Sequence, residues 1–463
     1  MNIIIIGATS AGIELAEYLV SGGHAVTLVD NPSETMAQIG NRLDLRVVQG
    51  VPSWPSVLRK AGAENAELLV ATTPEDEMNI AACSIAASLF RVPRKIARIR
   101  SPDYLIEADE IFGSHAIPID HVISPEHITS ELILDLLELP GTTAVGSFCD
   151  DRIIIASARC AKGGKLIGHS INKIYELESK AKIMAVYRNN ELIKDYDNEV
   201  LAPSDIVFFC CERVRAMSLL SALIPLEPTG KYITIAGGSH TADELARLLS
   251  SKYKVKLIEP DMQRSSKTAD KLHDTSVEVY CADPTNLDFI AEEHIDKSDR
   301  FIAADLSDET NIISALMLSR RNKVKTIAVI RNENFHELAK GPGREIDIII
   351  SPREAIISAI LSHIRQEGVE RMSLFRQGKS EGIELLIQGS KVTSKVVGKG
   401  VNDINLPPGV TLGLVLRNKV VHVVDDNYRF EDGDRVVAYL HDHKHMRQLV
   451  KLIRPRSFWI PKW

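Results

Sequence analysis

Six residues, Gly7-Ala8-Thr9-Ser10-Ala11-Gly12, follow directly on the apolar run Ile3 to Ile6. The chemistry of such a turn is anion binding rather than covalent work. Glycines at its first and last places let backbone approach a diphosphate and pack a helix on a strand, while the amides that open the helix donate to the anion. Thr9 stands where the middle glycine of the dinucleotide fingerprint belongs, and its β-branched side chain is expected to crowd the phosphates. Asp30 ends the next apolar run, Ala25 to Val29, at the spacing of a carboxylate that accepts from a ribose hydroxyl. An N-cap or surface aspartate is its plainer alternative. A second turn, Gly237-Gly238-Ser239-His240-Thr241-Ala242, keeps one of the three glycine places, and Glu259 supplies the acid. This weaker site is equally readable as a shell that has kept the architecture and lost the ligand.

Other residues of chemical type are less organised. His441-Asp442-His443-Lys444-His445 has metal-ligating types but lies in a polar stretch between a strand and a helix over Met446 to Leu452, where a solvated turn is expected. Six cysteines without C-x-x-C spacing suit a reducing compartment. Cys210 and Cys211 end the strand-like run Ile206 to Phe209 and read as buried small apolar residues.

The elements that position these groups occur twice. Gly7 and Gly237, Asp30 and Glu259, Asp76-Glu77-Met78-Asn79 and Asp308-Glu309-Thr310-Asn311, Ile123-Ser124-Pro125 and Ile350-Ser351-Pro352, and Gly168 and Gly398 recur in order at a shift of about 230 residues. The Ser204-Asp205 turn and Gly433-Asp434 complete the series. Within the first copy, short apolar strands (Ile3 to Ile6, Ala25 to Val29, Leu45 to Val48, Leu68 to Ala71) alternate with helices, the signature of a doubly wound parallel sheet. Ile233 to Ala236, Val255 to Ile258, Val277 to Tyr280 and Arg300 to Ala303 repeat it. Each copy continues through a helix into a module of short strands and Gly, Asn and Asp turns. The expected fold class is α/β, with two tandem Rossmann-like doubly wound parallel sheets, each followed by a small α+β domain. Boundaries are expected near 140, 228 and 367, giving 1–140, 141–227, 228–366, 367–453 and a basic aromatic tail at 454–463. The helix stripes Ile128, Leu132, Ile133, Leu136, Leu137 and Ile356, Ile357, Ile360, Leu361, Ile364 exceed what one sheet needs, so self-association through them is expected.

Composition narrows the function. A net charge of -7 over 463 residues offers no basic surface for a nucleic-acid backbone. No apolar run is long enough to span a bilayer, and the first residues lack the pattern of a signal peptide. The tail from Arg454 to Trp463 interleaves basic and aromatic residues and suits either an anionic membrane interface or a neighbouring subunit.

A family resemblance is carried by Ala97-Arg98-Ile99-Arg100-Ser101-Pro102, Glu292-Glu293-His294-Ile295-Asp296, Asp308-Glu309-Thr310-Asn311-Ile312, Ile350-Ser351-Pro352, Thr393-Ser394-Lys395-Val396-Val397-Gly398 and Leu406-Pro407-Pro408-Gly409. Nearly end to end, the chain resembles the TrkA family, tandem RCK (regulator of potassium conductance) proteins that are peripheral subunits of bacterial Trk potassium-uptake systems. The resemblance implies a small RCK C-terminal domain in each half, a cytoplasmic protein on the inner face of the membrane, and a homo-oligomer, dimer or tetramer. It also implies docking on a membrane potassium channel subunit of the TrkH or TrkG type, and NAD(H) or ATP/ADP as regulatory ligand. Carried over by position, the site comprises Gly7, Ala8, Thr9, Ser10, Ala11, Gly12, Asp30, Thr72, Thr73 and Arg98. Pro74 removes an amide donor after Thr73, and Asp305 replaces the threonine expected in the second copy. Arg98 and Arg100 alternate on one strand, where solvation or ion pairing is their ordinary fate. Two other readings use the same residues: a nucleotide-insensitive scaffold ring on the channel, and an NAD-dependent dehydrogenase, for which no substrate domain with an acid/base residue is evident.

Overall fold

The computed structural model describes residues 1–113, 116–194, 199–226, 230–322, 324–332, 334–335, 339, 346–364, 368–376 and 378–454. Isoleucine-rich β1 (Asn2–Ile6) is buried on both faces, as a central parallel strand must be. It sits between β2 (Ala25–Asp30) and β4 (Leu68–Ala71), with β3 (Arg46–Gln49), β5 (Arg94–Arg98) and β6 (His121–Ile123) outside them. The order β3-β2-β1-β4-β5-β6 is that of a doubly wound dinucleotide-binding sheet. The longer helices of the unit are α1 (Ser10–Ser21), α2 (Asp76–Phe90) and α3 (Pro125–Glu138), with shorter ones between them. Pro125 opens α3 because its fixed φ suits a first helical position, and Ser124 caps it by accepting from the His127 N–H at 3.3 Å. An antiparallel sheet follows, of β7 (Thr142–Phe148), β8 (Ile153–Arg159), β9 (Ala181–Arg188), β10 (Glu191–Leu192) and β11 (Ile206–Glu212).

The second half repeats this plan. Strands β12 (Tyr232–Ala236), β13 (Lys254–Ile258), β14 (Glu278–Tyr280), β15 (Arg300–Ala303), β16 (Lys325–Val329) and β17 (Ile348–Ile350) have the order β14-β13-β12-β15-β16-β17, with α4 (His240–Leu249), α5 (Asp308–Asn322) and α6 (Pro352–His363). The small sheet has β18 (Val369–Phe375), β19 (Ser380–Leu386), β20 (Val410–Arg417), β21 (Val420–Val423) and β22 (Arg435–Leu440). Two tandem Rossmann-like units, each with a small antiparallel domain, are thus present as expected. The helix read at Met446 to Leu452 is found at Met446–Ile453. Of the expected tail only Arg454 falls among the described residues, and the 228 and 367 boundaries fall outside them.

The halves are interlocked rather than strung in series. Helix α3 leaves the first sheet and packs on α4 of the second half and on α6; α6 in turn packs on α1. One core therefore joins Ile133, Leu136 and Leu137 of α3 to Leu245 and Leu249 of α4 and to the first small domain. Another joins Leu15 and Leu19 of α1 to Ile357 and Ile360 of α6 and to the second small domain. A third unites the two small sheets through Phe148, Phe208, Phe375 and Tyr439. The apolar stripes expected to drive self-association are thus largely consumed inside the chain, each half serving as the partner of the other. Two charge contacts pin the exchange, with Arg353 Nε 2.7 Å from Glu14 Oε2 and His127 Nδ1 2.6 Å from Glu244 Oε1.

Candidate functional site

The first glycine turn is built by close approach. Gly7 has φ +102°, and a Cβ there would lie 2.8 Å from the Thr73 nitrogen. At Gly12 a Cβ would lie 2.1 Å from the Gly7 carbonyl oxygen, so both places demand glycine for contact, and Gly7 for conformation as well. Thr9 does something other than crowd the phosphates. Its Oγ1 accepts from the Gly12 N–H at 3.1 Å and donates to the Thr72 carbonyl at 3.4 Å, so the hydroxyl is turned into the turn as the N-cap of α1. The amides of Ser10 and Ala11 lie in the first turn of the helix, where N–H groups have no intrahelical acceptor. These two amides make one side of the turn suited to an anion. Asp30 closes the other side, with Oδ2 accepting from the Ala8 N–H at 2.6 Å and Oδ1 from the Asn31 N–H at 2.7 Å. A carboxylate has further lone pairs for a hydroxyl.

Thr72 and Thr73 are buried beneath the turn. The Thr72 hydroxyl donates to the Ile6 carbonyl at 2.9 Å, and Thr73 donates through both N–H and Oγ1 to Asn79 Oδ1, at 3.0 and 2.7 Å. They therefore shape the site rather than offer free donors to it. Asn79, fully buried, is the brace that sequence reading treated only as a landmark: its Nδ2 also donates to the carbonyls of Thr73 and Arg98, tying β4 to β5. Asp76 accepts from the amides of Arg100 and Ser101 at the end of that strand. Asp308 and Asn311 repeat both roles, which explains why the segment is among the clearest marks of the duplication.

Arg98 ends β5, and Arg100 lies beyond the strand, correcting the expectation that both alternate on it. Arg100 follows its ordinary fate in an ion pair with Glu126, at 2.9 Å. Arg98 differs: its Nε is buried without a hydrogen-bond partner among the described residues, and burial, followed by the nearby Arg100 charge, lowers its pKa. A partly desolvated guanidinium at the carboxyl end of a parallel strand suits a phosphate.

The second turn has the same backbone and a different filling. Ser239 caps α4 as Thr9 caps α1, accepting from the Ala242 N–H at 3.2 Å, and Gly237 again sits against the following loop, here Asp305. Asp305 turns its Oδ1 to the Ser307 N–H at 2.9 Å. Val329, whose carbonyl takes the Asn311 bond as that of Arg98 takes the Asn79 bond, replaces the arginine with a buried apolar residue. Glu259 is fully buried, and its carboxylate is folded over Gly238, where a Cβ would lie 2.2 Å from Oε2. Arg264 holds it, with Nη2 2.8 Å from Oε1, and the Arg264 pKa is raised by Glu259 first and, further off, by Asp261 and Asp305. The second pocket thus contains its own ion pair.

Elsewhere, Cys83, Cys149, Cys160, Cys210 and Cys211 are buried and Cys281 is exposed. His441 packs beside Tyr439 and contacts Thr411 Oγ1 at 3.2 Å, and among the described residues no group of three or more His, Cys, Asp or Glu side chains is placed to hold a metal. The large cleft between the halves, about 3180 Å³, is lined by residues such as Glu131, His363 and Arg371; it does not reach the first glycine turn and meets the second only at His240.

Two interlocked Rossmann-like halves, one whose glycine turn keeps Asp30 at its edge and one whose turn is covered by the Glu259–Arg264 pair, define a duplicated nucleotide-binding-type fold. The TrkA-N domain family model matches residues 3–125 and 233–352, one match in each half. The chain is 37% identical to the Trk system potassium uptake protein TrkA of Vibrio alginolyticus over 99% of its own length and 100% of that protein. To the protein of the same name from Haemophilus influenzae it is also 37% identical, with the same coverage. The chain belongs to the TrkA family of Trk-system potassium-uptake proteins. Among solved structures, the GsuK RCK domain superposes with a TM-score of 0.59 at 18% identity, covering 97% of this chain and 95% of that one. A GsuK channel bound to NAD superposes with a TM-score of 0.60 at 17% identity, covering 97% and 79%. At these identities the likeness establishes the tandem RCK fold.

Proposed function

We propose that the chain is the nucleotide-responsive regulatory subunit of a Trk-type potassium transporter, cytoplasmic and peripheral on the inner face of the membrane, and bound there to a potassium channel subunit of the TrkH or TrkG type. The observation that carries the nucleotide half of the reading is the first turn, where the amides of Ser10 and Ala11 open α1 next to Asp30, together with half-buried Arg98, whose Nε has no hydrogen-bond partner among the described residues, at the end of β5 in the same sheet. Family membership carries the transport half. No helix among the described residues is long and apolar enough to cross a membrane, which suits a subunit that reaches the bilayer through a partner.

The ligand is an adenine nucleotide, NAD(H) or ATP/ADP. Gly7 to Gly12 would receive its diphosphate, Asp30 its ribose, and Arg98 a phosphate charge. No residue need do covalent work, so the reading is regulatory rather than enzymatic. A nucleotide that binds one conformation better than another shifts their equilibrium by its differential affinity. Helix α1, which starts at the first turn, is also gripped by Arg353 of α6 through Glu14. A displacement of α1 on binding is thereby felt in the second half and its small domain. Assembly as a homo-dimer or tetramer would pass it to the channel.

Affinity isolation from solubilised membranes tests the transport half: co-purification of a potassium channel subunit supports it, and a partnerless protein in cells expressing that subunit removes it. Calorimetric titration tests the other half. If NADH, NAD, ATP and ADP all give no heat at saturating concentration, the scaffold-ring reading replaces this one.

A further inference from the structure

Glu381, on β19, has no exposed surface. Three residues along the same strand Glu384 is equally buried, but it is paired with Arg435 and accepts from the Cys149 N–H at 2.7 Å. Glu381 has no such compensation, and neither of its oxygens receives a well-aligned hydrogen bond among the described residues. The groups facing it are the Tyr18 hydroxyl from α1, which lies 3.3 Å from Met372 Sδ of β18, and Asp442 beyond β22. Its register neighbours, Leu374 and Leu440, are apolar. The next charges on α1 and α6, Glu14 and Arg353, are paired with each other. A carboxyl so placed favours its neutral form: burial, opposed by the Tyr18 hydroxyl and helped by Asp442, raises its pKa to about 7.

The duplication shows that the fold does not require this pair. Glu381 pairs with Leu374 and Leu440 in the second small sheet as Ile154 pairs with Ser147 and Cys211 in the first. On the facing helices, counted from the capped glycine turns, Tyr18 corresponds to Leu248. One of the two equivalent junctions therefore holds a phenol and a carboxyl where the other holds leucine and isoleucine.

We propose that Glu381 and Tyr18 form a proton-dependent latch between α1, the helix that starts at the first glycine turn, and the second small domain. Protonated, the carboxyl stays buried against Tyr18 and the junction is closed. When the proton leaves to solvent, the carboxylate must be hydrated, and the junction loosens. Because the group is a stronger proton acceptor folded than unfolded, its contribution to stability is greatest in the acid range and falls as pH rises to about 7.

The test uses the full-length chain without nucleotide, so that its outcome is independent of ligand binding. Urea denaturation at about pH 5.5 and about pH 8.5 is compared for the wild type, Glu381→Gln and Glu381→Ile. The wild type is expected to lose roughly tenfold or more in folding equilibrium constant relative to both variants as pH rises. The infrared carbonyl band of a protonated carboxylic acid should titrate near neutrality in the wild type and vanish in Glu381→Gln. Parallel pH profiles in all three proteins, or the absence of a carbonyl band that titrates there in the wild type, would overturn the latch.

Discussion

Arg264 Nη2 lies 2.8 Å from Glu259 Oε1, so in the second half a guanidinium already occupies the carboxylate that a ribose would need. An entering nucleotide would have to break that pair, and would then meet Val329 where the first half has Arg98. Glu259 is fully buried, whereas Arg264 is 45% exposed on its side chain. Arg264→Ala is expected to destabilise the protein by about 1.5–3 kcal/mol, the worth of hydrogen bonds to a charged group. Exposure of the guanidinium keeps the cost below that of breaking a fully buried pair. A urea midpoint shift measures it, and an unchanged midpoint would mean that the pair is incidental.

Arg98 and Asn79 should separate binding from folding. Arg98→Ala removes a charge with no hydrogen-bond partner at Nε, so the fold should change little while nucleotide affinity falls roughly tenfold to a hundredfold. Asn79→Ala removes the acceptor of both Thr73 donors and the two donors to the Thr73 and Arg98 carbonyls, and is expected to cost about 2–4 kcal/mol. Titration and denaturation of both variants decide this. The assignment fails if Arg98→Ala unfolds the protein and Asn79→Ala leaves it as stable as before.

Thr9 is assigned a helix cap in place of the crowding expected from its size. Thr9→Ala should then cost about 1 kcal/mol of stability and Thr9→Gly only a few tenths. Neither should tighten binding. A tenfold gain in affinity for Thr9→Gly would restore the crowding interpretation.

His127 bridges the halves, and hydrogen bonds to Glu131 first and Glu244 second raise its pKa to about 10. Its folded value lies above its unfolded one, so its stabilisation is complete below about pH 6.5 and is lost as pH rises through about 10. In His127→Gln the loss of stability across this alkaline window should shrink. Identical wild-type and variant profiles would show that the bridge contributes nothing.

Much of this was legible in the chain because it is written twice. The isoleucines of β1, the Ile-Ser-Pro starts of α3 and α6, and the turns at Gly7 and Gly237 are local signals whose physical causes act within a few residues. The Asp76 to Asn79 segment was visible as a repeat, but its bracing of β5 depends on strands brought together only by the fold. Two features were hidden for the same reason. The exchange of α3 and α6 between halves is a choice of partner for an apolar stripe, and periodicity does not name partners. The filling of the second pocket needs the Glu259 carboxylate to fold over a turn some twenty residues earlier and Arg264, five residues further on, to hold it there. The reading of Asp305 as a repelling charge expects a weaker second site from a different cause than the Glu259–Arg264 ion pair that the structure places there.

The most direct measurement is calorimetric titration of NADH into Asp30→Ala and Glu259→Ala, each first shown to be folded by circular dichroism. The proposed asymmetry predicts a loss of roughly tenfold or more in affinity for Asp30→Ala and a change below about threefold for Glu259→Ala. Equal losses, or the larger loss in Glu259→Ala, would contradict the assignment of the nucleotide to the first half.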